Sequence, residues 1–407
     1  MQIVYVYGGC SPTKYNEYVE KRGLRIQQPA QKYSQLLLDG FVANGVNVDV
    51  ISSRPINRSV DNRIFFKSEK DAENGINYNY VSFFNRSFLR KISVFVNVFF
   101  KTLFFKMDKK TTVMCDALNI AASFGALFAA KLRRKKTVGI VTDVPCHRPD
   151  NTEVPFNEKL NLWLIKRFDS YLLLTEQMNE IVNPKKRPYV VLEGHCDIGM
   201  QEIENRIEDK DSKKICLYAG TLRRIYGIEN LVRGFVKAAV PNTELHIYGA
   251  GDFKEELQKL ATEYKTVKYM GIAPNSEIVE AELKATLLVN PRPTNEEYTK
   301  YSFPSKNMEY MASGTPVLTT KLPGMPQEYN KYVYLLEDES ADGVCAALKE
   351  ILTKPAEELH QKGLDAKNFV MEEKNNCVQA KKVLEMIEGV YKCEQHKDVK
   401  KGITSAE

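Results

Sequence analysis

The sequence predicts an α/β protein made of two consecutive doubly wound, Rossmann-like domains. Three observations predict it. At 407 residues the chain exceeds the size at which a single hydrophobic core keeps growing. Short apolar runs alternate with helical patterns along it, as parallel βαβ units require. The pattern then restarts at ICLYAG, residues 215–220, after a polar, charged joint, EIENRIEDKDSKK, at 202–214. The expected organisation is a first domain over 1–200 and a second over 201–375. A C-terminal helix in 376–407 is expected to return to the first domain and to end in a frayed tail, KDVKKGITSAE.

In the first half, MQIVYVYGG is an apolar run closed by two glycines and reads as a buried strand. A helix follows from about Gln31 to Asn44, then the strands VNVDVISS and NYNYVSFF. Next come a basic helix, the strand TTVMCDA, an Ala-rich helix around Ala121 to Lys131, and TVGIVTDVP. A helix near Leu160 to Phe168 and the strands SYLLLTE and YVVLEG complete the half. The second half begins with ICLYAG, a helix near Ile228 to Ala239, ELHIYGAG, a helix near Lys254 to Tyr264, and VKYMG. A helix near Ser276 to Ala285, the strand TLLVNP, a short helix carrying Glu309, and the strands PVLTT and YVYLLE follow.

Composition narrows the class of protein. With 43% hydrophobic and 27% charged residues the chain reads as soluble and globular. Its eight cysteines are scattered without a CxxC pair or a metal-ligand spacing, and the N-terminal run resembles a strand more than a signal peptide. A reducing cytoplasm without disulfides is therefore expected. The net charge of +6 is unevenly placed: residues 86–110 hold seven basic residues against Asp108, and KLRRKK at 131–136 adds five more. Within 86–110, Phe88, Ile92, Phe95, Phe99 and Leu103 recur at helical spacing while basic residues cluster at the ends. Two readings stand for this segment, a helix lying on an anionic membrane surface or a core helix with a solvated basic rim. No zinc-finger spacing, RNP-like aromatic sequence or helix-turn-helix signal points to nucleic acid.

In an open parallel sheet the ligand sits beyond the carboxyl ends of the strands, so the residues there carry most weight. Gly8 and Gly9 follow the first strand, Gly220 the first strand of the second half, Gly249 and Gly251 follow HIY, and Gly271 follows VKYM. Glycine at such a position lets backbone N–H groups approach an anion or a flat ring. Glu309 stands one turn into a helix opened by Pro304 and Ser305, whose first N–H groups can face a phosphate.

The segments YAGTLRRIYGIENLVRGF (218–235), IYGAGDFKEEL (247–257), VKYMGIAPNSEI (267–278), LLVNPRP and SFPSKNMEYMASGTPVLTTKLPGMPQEY (302–329) resemble, in order and spacing, the C-terminal domain of the GT-B fold glycosyltransferases of family 4. The first half is similar more weakly, through YGG, QPAQKYSQLLLDGFVANGVNVDVISS and LLLTEQMNEIV. The resemblance implies two Rossmann-like domains facing a cleft, the first binding the acceptor and the second a nucleotide sugar. It implies transfer with retention from a UDP-sugar, or a GDP-sugar, to a hydroxyl of a saccharide in cell-surface polysaccharide biosynthesis, without metal or cofactor, and the basic amphipathic segment at 86–110 adds the expectation of a lipid-linked acceptor at the membrane face. On this reading Glu309 is the second glutamate of the family's Glu-x7-Glu motif and accepts hydrogen bonds from the donor ribose.

The sequence departs from the family at three positions. Tyr301 stands where the first glutamate belongs, and Thr221 and Tyr226 stand where the paired phosphate-binding Arg and Lys belong. Arg223, Arg224, Arg292 and Lys306 are the substitutes at hand, with Arg292 and Lys306 preferred, and Glu296 or Glu297 could supply the missing carboxylate. Asp143 and His147 of VTDVPCHRP are candidates to hydrogen-bond the sugar or orient the acceptor, or else they cap a turn. A non-catalytic sugar-nucleotide binder acting as the partner subunit of another transferase is the alternative.

Overall fold

The computed structural model describes residues 1–22, 28–56, 58, 61–145 and 155–404, with the side chains of 20–22, 28 and 393–404 outside the description. His147 therefore lies outside the described residues. The chain divides into two compact units, Met1–Glu193 with Asn376–Glu407, and Gly194–Asn375.

The first unit contains β1 (Gln2–Tyr7), α1 (Pro12–Arg22), α2 (Gln28–Ala43), β2 (Asn47–Ser52), β3 (Phe65–Phe66), β4 (Glu69–Glu73), β5 (Ile76–Tyr80) and β6 (Phe83–Phe84). It continues with α3 (Ser87–Leu103), β7 (Thr111–Asp116), α4 (Ile120–Leu132), β8 (Lys136–Val141), α5 (Phe156–Ile165), β9 (Ser170–Leu173), α6 (Met178–Val182) and β10 (Tyr189–Val191). Its eight-stranded sheet runs β10-β9-β8-β7-β1-β2-β5-β4 and is parallel except for β4. Such strands are covered on both faces, so β1 is buried at every residue from Gln2 to Tyr7 and packs Ile3 and Tyr5 with Val48, Val50 and Tyr78. The C-terminal helix Asn376–Thr404 packs on α2, where Gly40 gives it room: a Cβ there would lie 2.2 Å from the Asn376 carbonyl oxygen.

NYNYVSFF, expected as one strand, is two. It breaks after Tyr80, and β5 is entered through a hairpin from the charged edge strand β4. Asn74 and Gly75, both at positive φ (51° and 77°), make the two-residue turn. An Asn-Gly pair of this kind matches the twist of the strands it joins, and the exposed charges of EKDAE keep the edge from pairing further. The helix expected near Leu160 to Phe168 starts earlier, at Phe156, and α1 was not anticipated.

The second unit contains β11 (Lys214–Thr221), α7 (Ile228–Ala238), β12 (Thr243–Ala250), α8 (Lys254–Glu263), β13 (Val267–Gly271) and α9 (Asn275–Lys284). There follow β14 (Leu287–Asn290), α10 (Ser305–Ser313), β15 (Val317–Thr320), β16 (Tyr334–Leu336), α11 (Ala341–Leu352) and α12 (Ala356–Glu373). The six strands are parallel in the order β13-β12-β11-β14-β15-β16, so the chain runs outward from β11 through β12 to β13 and then crosses back to β14 on the other side of β11. A crevice opens at the carboxyl ends of β11 and β14, where open α/β sheets bind their ligands. The apolar face of α7 (Ile228, Leu231, Val232, Phe235) closes one side of the core against Leu217's neighbours Cys216 and Tyr218 and against α11.

Candidate functional site

At the carboxyl end of β11, Gly220 pairs with Gly249 of β12. Gly249 has φ 132°, and a Cβ on it would lie 1.7 Å from the Gly220 carbonyl oxygen. Gly251 is equally confined, its Cβ position being 2.1 Å from the Leu222 oxygen. These two glycines serve the close approach of two strand-end loops, whereas Gly271, at φ 75°, has open space around it. Gly249→Ala is expected to destabilise the unit by more than about 3 kcal/mol, read as a lowered thermal midpoint by circular dichroism. Gly271→Ala adds only the smaller penalty of a left-handed side chain, about 1 to 2 kcal/mol.

Gly220 has a different neighbour. A Cβ there would come within 2.6 Å of Lys306 Cε, so the Lys306 side chain lies across the strand end. Lys306 belongs to the first turn of α10, and Glu309 follows three residues on, in the next turn, half-buried. The helix is fixed over the strand ends by buried polar groups. Asn290 Nδ2, at the end of β14, donates to Asn307 Oδ1 at 2.7 Å, and Asn307 Nδ2 donates to Thr319 Oγ1 of β15 at 3.2 Å. Tyr310 Oη accepts from the Ala219 N–H at 2.8 Å. Such bonds are worth most where water is excluded, and here they hold the mouth of α10 on β11, β14 and β15. Pro304 occupies the N-cap and offers no side-chain acceptor, and the Asn307 N–H donates to the Pro304 carbonyl at 2.9 Å, so the exposed Ser305 and the N–H groups of Ser305 and Lys306 are what this helix end offers an anion.

Cations gather beside this mouth on a tyrosine. The Arg292 guanidinium lies 4.4 Å from the Tyr226 ring centre and 5.5 Å from that of Tyr298, and its Nη1 donates to Ser302 Oγ at 3.1 Å. Arg223 lies 5.7 Å from the same Tyr226 ring. Tyr226, which takes the place of a cation in the family pattern, is thus the platform on which two arginines rest. The neighbouring Arg224 is committed elsewhere: it pairs with Glu229 at 3.0 Å and Glu256 at 2.5 Å. Burial raises the Tyr298 phenol while Arg292 opposes the rise, and its hydroxyl has no hydrogen-bond partner among the described residues. Glu296 is half-buried and Glu297 exposed, and Glu296 lies close enough to act on Tyr298 electrostatically. A cavity of about 390 Å³ beside this loop is lined by Arg224, Gly227, Glu296 and Glu339, and contains neither Lys306 nor Glu309.

The first unit has its own change of direction, between β1 and β7. Gly8 and Gly9 follow the end of β1. A Cβ on Gly8 would meet Asn119 Nδ2 at 2.8 Å, and one on Gly9 would enter the Tyr7 ring. Asp143, after β8, is exposed and accepts a hydrogen bond from the Val144 N–H at 2.8 Å. Asp116, the last residue of β7, went unnoticed in the sequence although its position in TTVMCDA obeys the same strand-end rule. Burial lifts its carboxyl to about 6, partly offset by the Leu118 N–H that it accepts at 3.1 Å. The folded chain therefore holds this proton more tightly than the unfolded one, and stability falls as pH rises from about 4 to 6. Asp116→Asn is expected to stabilise the fold at pH 7 by at most about 3 kcal/mol, read as a higher thermal midpoint, with the gain disappearing near pH 4.

Residues 200–368, less than half of the chain, match the family Glycosyl transferases group 1. No curated protein matches the chain in sequence. Among solved structures it is similar to HepE from Anabaena in complex with UDP, with a TM-score of 0.65 and 11% identity over 96% of this chain and 100% of that one. The sucrose-phosphate synthase of Thermosynechococcus elongatus gives 0.65 and 14% over 97% and 100%. The trehalose-6-phosphate structure from E. coli bound with UDP-2-fluoro glucose gives 0.64 and 10% over 95% and 99%. The chain has the GT-B fold, α/β with two Rossmann-like units.

Proposed function

We propose that the protein is a retaining glycosyltransferase that moves a sugar from a nucleotide-diphosphate donor, preferably a UDP-sugar, to a hydroxyl of a saccharide or lipid-linked acceptor. The observation that carries this reading is Lys306 lying across Gly220 at the strand crevice with Glu309 in the next turn of the same helix. An acceptor-only carboxylate suits a ribose diol, and an ammonium beside helix N–H groups suits the diphosphate attached to it. The likeness of residues 200–368 to the group 1 transferases, and the UDP and UDP-2-fluoro glucose held by the similar structures, favour a uridine donor.

In this reading the donor ribose bonds Glu309, and its diphosphate meets Lys306, the Ser305 end of α10 and the arginine pair on Tyr226. Cleavage of the sugar–phosphate bond leaves negative charge on the diphosphate, which these cations stabilise as it develops. The departing diphosphate assists the acceptor hydroxyl on the same face of the sugar, and this accounts for retention. With three side-chain cations available the reading needs no metal. The hydroxyl proton passes to the departing diphosphate, while Asp143, His147, Gly8 and Gly9 are assigned to binding the sugar and acceptor, and Asp116, at the end of β7 beside them, joins them as a hydrogen-bond partner.

The protein is placed at the cytoplasmic face of the membrane, where residues 86–110 meet anionic lipid and the products enter cell-surface polysaccharide. The reading is tested by incubating the protein with UDP-glucose, a lipid extract and EDTA and measuring UDP release and sugar transfer. Transfer that persists in EDTA supports it. Tight UDP binding without release or transfer would favour the non-catalytic partner subunit, which the substitutions at Thr221 and Tyr301 also admit.

A further inference from the structure

We infer that the outer faces of α3, α4 and α5 together form one surface that inserts into an anionic bilayer, well beyond residues 86–110. This deepens the membrane part of the proposed function and rests on that part alone.

On α3 a stripe of Phe88, Ile92, Val96 and Phe100, continued by Phe104 just past its end, is exposed, Phe88 at 72% and Phe104 at 79%. The opposite side of the helix, Val94, Val98 and Thr102, is buried. Next to it α4 runs backbone against backbone: a Cβ on Gly125 would lie 2.6 Å from the Phe95 carbonyl oxygen. The outward side of α4 exposes Phe128 and, at 68%, Leu132. Phe124 then stacks on Phe128 at 5.7 Å and on Trp163 of α5 at 6.0 Å. Alongside Trp163, α5 exposes Leu160 and, just inside its start, Phe156 at 79%. Three adjacent helices therefore present aromatic and aliphatic side chains to solvent. Contiguous apolar surface of this extent marks an interaction site.

Charge selects the occupant. Neither α3 nor α4 contains an acidic residue, and the one in α5, Glu158, is buried. Arg86, Lys91, Lys106, Arg134 and Lys159 are exposed on or beside these helices. A basic rim around an apolar surface complements anionic headgroups over acyl chains and opposes a second copy of itself. At the end of α3 a cavity of about 870 Å³ brings Lys70, Lys101 and Lys106 together beside Phe100 and Phe104, while the two carboxylates on its wall are engaged, Asp49 by Gln2 and Asn77 and Asp71 by Ser11. Burial, reinforced by the charge of Lys70, holds the Lys101 ammonium below its ordinary range, and an anionic headgroup in that cavity relieves the penalty. Among the described residues no helix is long and apolar enough to cross a membrane, so the surface lies on the bilayer and does not span it.

Trp163 is the chain's single tryptophan and reports on α5 directly. Vesicles of equal parts phosphatidylcholine and phosphatidylglycerol are expected to shift its emission to the blue, and brominated acyl chains to quench it. Phe128→Ser with Leu132→Ser should weaken vesicle partitioning about tenfold or more while leaving UDP affinity unchanged. The inference is overturned if vesicles bind without moving the Trp163 emission, if the double variant partitions like the wild type, or if no vesicles bind. A blue shift that grows with protein concentration in the absence of lipid overturns it in favour of a second copy. UDP titration of the same samples reads the transferase proposal separately, so either can fail alone.

Discussion

Lys306→Ala is expected to lower turnover of the nucleotide-sugar donor by about 10²- to 10³-fold, the loss seen when one preorganised group at a developing charge is removed. The effect should fall on kcat more than on KM, because the charge that Lys306 meets grows as the diphosphate leaves. The fold should survive, since the side chain is half-buried on the sheet end and Asn307 and Tyr310, not Lys306, hold α10 in place. Arg292→Ala alone should do less, because Arg223 shares the Tyr226 ring. The double substitution of both arginines should approach the Lys306 loss. Steady-state kinetics with UDP release as the readout separates these cases, and an unchanged kcat in Lys306→Ala would remove the ammonium from the reaction.

Glu309→Ala is expected to weaken UDP binding about 100-fold or more. A carboxylate that accepts from two ribose hydroxyls makes two hydrogen bonds to a charged group, each worth about 1.5 to 3 kcal/mol. Glu309→Gln keeps the shape and one acceptor oxygen and should fall between. Calorimetric titration of the three proteins with UDP gives the order, and equal affinities would displace the ribose from α10.

The parallel strands were legible because strands covered on both faces must be nearly continuous apolar runs, as in QIVYVY and ICLYAG. The position of the candidate site was legible for the same reason, since the ends of those runs mark the crevice. The hairpin between β4 and β5 was signalled by Asn74-Gly75 but was hidden in a polar, charged stretch whose strand has no buried face to display. Helices α1, α6, α11 and α12 lie outside the expected list, α11 and α12 in a segment where the strand alternation had already ended.

Roles that depend on contacts between distant residues had no local signature. Sequence spacing shows Tyr226 as a departure from a pattern, and only the packing of Arg223 and Arg292 on its ring shows what it supports. Gly249 and Gly251 looked like ligand contacts of the same kind as Gly220. Their Cβ positions run into backbone carbonyls, so the close approach of two loops already requires them, whereas Gly220 makes way for the Lys306 side chain. Arg223 and Arg224 were indistinguishable as neighbours. Glu229 and Glu256 decide between them by engaging Arg224.

The central claim is that a nucleoside diphosphate seats where β11 and β14 meet the start of α10. Hydrogen–deuterium exchange of the full chain with and without saturating UDP tests it most directly. The account predicts slowed exchange in residues 220–227 and 304–311, with the amides of α3, α4 and α5 unaffected. Protection that leaves both of those segments unchanged and appears instead around Gly8 to Ser11 would contradict it.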